Sequence, residues 1–137
     1  MMRGIKRLLG LKPKHYAVLF FIWVAFVTVL SLVSFSELDT DAVRIPFADK
    51  ITHFVFYFGF VVLGSFWLGR MASHFVLNRV IGMFVLGAAY GGFMELMQLT
   101  LTQDRAAEWT DMLFNVLGAS FAVFVVLGFN NGKEPLK

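Results

Sequence analysis

The sequence predicts an all-α fold, a bundle of four membrane-crossing helices, and three observations predict it. First, 58% of the 137 residues are hydrophobic and only 15% are charged, with 17 Phe among them. That is far from the composition of a soluble domain. Second, the apolar residues are gathered into four runs, each close to the roughly 20 residues that cross a hydrocarbon core about 30 Å thick. Third, the charges lie in the links between the runs and sort by side. At this length the chain, 1–137, is a single domain.

The first run, Ala17–Phe35, carries no charge and follows five cations, Arg3, Lys6, Arg7, Lys12 and Lys14. It is longer than the 7 to 15 residue core of a secretory signal, so it is read as a retained helix. A polar, acidic link containing Pro46 follows. The second run, Ile51–Gly69, is apolar except for Thr52 and His53 near its start, and its FVFYFGF segment (54–60) is expected to be lipid-facing and interfacial. A short basic link leads to the third run, Val80–Leu101. Here Gly87, Gly91 and Gly92 make a small-residue face of the GxxxG type, which lets two backbones approach closely, either within the bundle or between two chains. The fourth run is Asp111–Phe129. Trp109 and Tyr57 are expected in one aromatic belt and Tyr16 in the other.

Four crossings put both termini on one side of the membrane. Nine of the twelve Lys and Arg residues fall in the N-terminal segment, the link between the second and third runs and the C-terminal tail, leaving Arg44, Lys50 and Arg105 on the other face. The positive-inside rule then makes both termini cytoplasmic, in the inner membrane of the cell. The pI near 9.5 therefore records topology, and no nucleic-acid partner is expected. Membrane lipids are the expected partners. The absence of cysteine excludes a thiolate nucleophile, a disulfide framework and Cys-ligated metal.

Polar residues that interrupt the apolar runs all lie at one end. His53 is about one turn into the second helix, Glu95 and Gln98 are in the last turns of the third, and Asp111 and Asn115 open the fourth. Asp49 and His53, Glu95 and Gln98, and Asp111 and Asn115 are each spaced to share a helical face. A carboxylate within a membrane helix costs about 2.5–3.5 kcal/mol on insertion scales, so it normally faces protein or water and has a partner. His53, Glu95 and Asp111 are accordingly the candidates for proton chemistry, with Asp49 placed to fix the His53 tautomer. Asp49, Lys50, Gln98, Arg105 and Asn115 are the candidates for binding. The guanidinium of Arg105, with Lys50 and the N-terminus of the fourth helix, suits a lipid headgroup phosphate. An acid at a helix start is also ordinary capping, which is the alternative for Asp111. His53, Glu95 and Asp111 offer a mixed nitrogen and oxygen set, but the chain lacks a closely spaced ligand pair of the HExxH kind. No metal and no cofactor is therefore expected.

The order Asp-Lys-x-x-His at Asp49, Lys50 and His53, Glu-x-x-Gln at Glu95 and Gln98, then Arg105, Asp111, Asn115 and Gly118 resembles the VanZ-like family of small bacterial membrane proteins. The resemblance runs from about Asp49 to Gly118 and leaves the first helix without a motif. That family takes its name from a member associated with low-level resistance to the glycopeptide teicoplanin, so the resemblance implies a role in the cell envelope. Two functions fit. One is binding or processing of a phosphorylated lipid or envelope precursor at a polar pocket on the outer face. The other is a non-enzymatic role, structural or partner-binding, in which the same residues fix helix packing.

Overall fold

The computed structural model describes residues 12–32, 47–71, 76–101 and 108–131. Among them are four helices and no strand: α1 (Pro13–Leu32), α2 (Ala48–Met71), α3 (Val76–Leu101) and α4 (Trp109–Asn131). All four are long and apolar enough to cross a membrane.

Each helix begins before the apolar run that announces it. In α1 Pro13 occupies the first turn, where its missing N–H is no loss, and His15 N donates to Lys12 O at 3.0 Å. α2 takes in Ala48, Asp49 and Lys50, with Ile51 N bonded to Phe47 O at 3.0 Å. At the start of α3, Arg79 Nη1 donates to Leu68 O of α2 at 3.2 Å. At α4, Thr110 Oγ1 donates to Glu108 Oε2 at 3.0 Å. Charged first turns continue a helix at little cost where they meet water, so hydropathy alone sets these boundaries too late.

α2 is the central element. It packs against each of the other three helices, most extensively against α4, whereas α1 lies against α2, makes a lighter contact with α3 and does not reach α4 within the described residues. The core between them is aromatic and small: Phe20, Phe56, Tyr57 and Phe60 meet Ala119 and Ala122. Phe20 and Phe60 are edge to face at 5.0 Å between centroids, and Phe60 stacks on Tyr90 at 5.4 Å. Such pairs add about 0.5–1.5 kcal/mol each beyond the area they bury. Two polar ties cross the same region. Trp23 Nε1 of α1 donates to Phe56 O of α2 at 2.9 Å, and Tyr90 of α3 is bonded to Thr28 of α1 at 2.6 Å.

This core corrects the expectation for FVFYFGF. Phe56, Tyr57 and Phe60 are buried, with Tyr57 only 2% exposed, and Tyr16 is buried near Phe66. Trp109 is 77% exposed and the exposed face also carries Phe21, Ile22 and Phe124. Tyr57 and Phe60 turn inward where glycines of α3 leave room: a Cβ at Gly91 would sit 3.1 Å from the Tyr57 ring, and one at Gly87 would sit 3.3 Å from Phe60. The small face of α3 is thus used inside the bundle, against α2 at Gly87 and against both α2 and α4 at Gly91.

Candidate functional site

α2 and α4 begin, and α3 and α1 end, at the same end of the bundle, so the interrupting polar residues converge there. Asn115 is 2% exposed, Glu95 6% and His53 8%. His53 Nδ1–H donates to Asn115 Oδ1 at 2.9 Å. That bond leaves Nε2 as the nitrogen facing Asp111, whose Oδ2 is 3.7 Å away. On the other side of the ring, Glu95 Oε1 lies 4.0 Å from Nδ1. One ligand atom from each of His53, Glu95 and Asp111 lies within 4.8 Å of the others. Three helices thus supply an imidazole and two carboxylates to one small volume.

Gln98 shares the Glu95 face but is used differently. Its Nε2 donates to Ser31 O of α1 at 2.8 Å, so it ties the end of α3 to the end of α1. Asp111 lies in the first turn of α4. Its backbone N donates to Glu108 O at 3.0 Å, while its carboxylate turns toward His53 and toward Lys50, whose Nζ is 3.7 Å from Oδ1. From the first turn of α4 it joins the cluster.

Asp49 departs from expectation. Asn115 makes the hydrogen bond that orients His53, whereas Asp49 is exposed and binds Lys50 Nζ at 3.0 Å. A residue at the very start of α2 faces the surface, and the buried amide from α4 reaches the ring first. Lys50 is a junction: its ammonium also lies 3.3 Å from Glu108. Glu108, just before α4, is not among the candidate site residues; the sequence marks it only as a charge partner for this end, and the ion pair with Lys50 brings it into the junction. Arg105 lies outside the described residues.

Chemically, the cluster can hold a proton between imidazole and carboxylate, or offer a nitrogen and several oxygens to a bound cation. Its described charges are four carboxylates and one ammonium: Asp49, Glu108 and Asp111 lie around Lys50, and Glu95 faces His53. A bundle of four apolar helices that buries such a cluster at one end is a multi-pass membrane protein. Its family follows: the model of the VanZ/LLP1 family matches residues 6–130, nearly the whole chain and α1 included, and the chain belongs to that family. No curated protein and no solved structure matches it.

Proposed function

We propose that this protein sits in the inner membrane with both termini cytoplasmic and that its polar cluster, on the outer face, binds or processes a phosphorylated lipid or another envelope precursor. The observation that carries the proposal is the convergence of His53, Glu95 and Asp111 from three helices at one depth. Ionisable groups within membrane helices are costly and mark functional sites by default. Membership of the VanZ/LLP1 family supports an envelope role linked to glycopeptide susceptibility. In this reading His53, Glu95 and Asp111 do proton work, Asn115 orients the imidazole, and Arg105 holds phosphate. Lys50 contributes less directly, because its ammonium is already shared among Asp49, Glu108 and Asp111.

A second reading is favoured by two specific bonds, Gln98 to Ser31 O and His53 to Asn115. Both are buried, both join different helices, and both would serve a purely structural network or a partner-binding scaffold. Glu95→Gln separates the two readings, since it keeps size and some hydrogen bonding while removing the charge. Mass spectrometry of lipids retained by the gently purified protein is expected to show a phosphorylated lipid enriched in wild type, lost in Arg105→Ala and reduced in Glu95→Gln, with folded yield preserved. Retention of bulk lipid only, unchanged by either substitution, would move the assignment to the structural role.

Orientation has its own check. A reporter fused after Lys137 is expected to be active only if it functions in the cytoplasm. A periplasmically active fusion at that position reverses the faces and puts the cluster on the inner leaflet.

A further inference from the structure

We propose that His53, Glu95 and Asp111 form a binding site for a divalent first-row metal ion. The spacing is the first reason. His53 Nε2 to Asp111 Oδ2 is 3.7 Å and His53 Nδ1 to Glu95 Oε1 is 4.0 Å. Neither is a hydrogen bond, so the three groups face one another across a gap without closing it. Donors on a common ion with bonds of about 2.0–2.2 Å stand roughly 3–3.6 Å apart at tetrahedral or octahedral angles. The gap between Nε2 and Asp111 needs to close by only a few tenths of an ångström, and Glu95, on the Nδ1 side of the ring, comes onto the same ion by a shift of about 1 Å from a set of donor atoms that lie within 4.8 Å of one another.

The second reason is the orientation of the imidazole. A metal-binding histidine ordinarily donates its other N–H to a carbonyl or carboxylate, which fixes the tautomer and aims the lone pair. Asn115 Oδ1 accepts from Nδ1 at 2.9 Å, and the nitrogen this leaves is the one that faces Asp111. Asn115 is therefore a positioning residue.

Charge is the third. The described groups at this end carry four carboxylates against one ammonium. Lys50 lies near Asp49, Glu108 and Asp111, and buried Glu95 and half-buried Asp111 flank an imidazole. Two carboxylates in a low-dielectric setting are each costly, and a divalent cation offsets both at once. The donor set decides the class: an imidazole nitrogen favours zinc or another transition metal, and two carboxylates extend the range to manganese, whereas magnesium and calcium prefer oxygen alone. Coordination positions that these side chains do not fill are open to water or to a phosphate oxygen. The phosphate step rests on the headgroup reading above; the ion does not.

The test uses the full-length protein in detergent, stripped with chelator and reloaded with Zn²⁺ or Mn²⁺, with metal content and titration calorimetry as readouts. Wild type is expected to retain about one ion per chain. Glu95→Gln and Asp111→Asn are each expected to weaken binding at least about 10-fold, with helicity and elution volume unchanged, as the loss of an orienting partner alone costs about 10–100-fold. Asp49→Asn removes a carboxylate on the exposed rim that is paired with Lys50 and does not face His53, and should weaken binding far less than either of those substitutions. Loading wild type with Co²⁺ adds a measurement that needs no variant: a visible spectrum shifted from that of the aqueous ion marks nitrogen and oxygen coordination. Absence of a stoichiometric ion, an aqueous-like Co²⁺ spectrum, or binding that Asp49→Asn weakens as much as Asp111→Asn would each overturn the site. Ion binding without enrichment of a phosphorylated lipid would leave the ion standing and remove the headgroup reading.

Discussion

Replacing Gly118 by Ala is expected to produce the largest loss of stability of any single methyl group added to this bundle. A Cβ at Gly118 would overlap the carbonyl oxygen of Phe54 and come within 2.9 Å of its carbonyl carbon and 3.0 Å of its Cα. These are backbone atoms of α2, which cannot rotate aside as a side chain does, so α2 and α4 must separate along their whole contact. That contact is the most extensive in the fold. Separation would loosen Phe56, Tyr57 and Phe60 against Ala119 and Ala122, and would also pull Asn115 away from His53. Overpacking costs about 1–3 kcal/mol where side chains can adjust, and occasionally more. With backbone on both sides the expected cost is about 3 kcal/mol or more, which corresponds to a fall of roughly 10 °C in the unfolding midpoint in detergent. Gly82→Ala and Gly128→Ala are the controls, because a Cβ at either meets nothing within 4 Å. Each should be neutral or raise stability by about 0.5–1 kcal/mol through helix propensity. If Gly118→Ala matched those controls, the close approach of α2 and α4 would be wrong.

The contrast between these glycines shows where sequence is informative in an apolar bundle. In a water-soluble helix, polar residues mark the outside and the period of the pattern points to the core. In this chain lipid and protein interior are equally apolar, so the period does not say which way a Phe or Tyr faces. That is why hydropathy places FVFYFGF at the surface although Phe56, Tyr57 and Phe60 are among the best-buried residues. Four helices and their order were legible from length and hydropathy, and the one end that gathers His53, Glu95 and Asp111 was legible because polar residues are rare enough there to stand out. Their partners were not. Gln98 binds a main-chain carbonyl, at Ser31, and every residue has one. Asp49 stands one turn before His53 and was the nearest acceptor along the chain, yet the ring is bonded across the bundle to Asn115, 62 positions away. Spacing within a helix predicts a shared face; it does not predict which neighbouring helix meets that face.

The cluster's internal logic is tested most directly at Asn115. It is 2% exposed, its Oδ1 accepts from His53 Nδ1 at 2.9 Å, and its Nδ2 lies beside α3, 3.0 Å from where a Cβ on Gly91 would be. Asn115→Leu keeps much of this volume and places a methyl group where the amide nitrogen sat, so little of its cost comes from a cavity. What it removes is the acceptor, leaving a buried imidazole N–H without its partner. A group stranded in that way costs about 1–3 kcal/mol, and the expected loss lies at the upper end because the site is enclosed by three helices. His53→Phe alone strands the Asn115 carbonyl oxygen instead and is expected to cost a similar amount. Together the two substitutions remove both ends of the bond, so the double variant should be more stable than the sum of the single losses implies, by about 1–2 kcal/mol within the usual range for contacting residues. Strict additivity of the three unfolding free energies would mean that the bond contributes nothing. The same series also separates packing from chemistry. If Asn115→Leu remains folded while ligand or ion retention falls, the amide is acting through the orientation of His53. If stability and retention fall together and are restored together in the double variant, the network is structural, because His53→Phe has no nitrogen with which to hold anything.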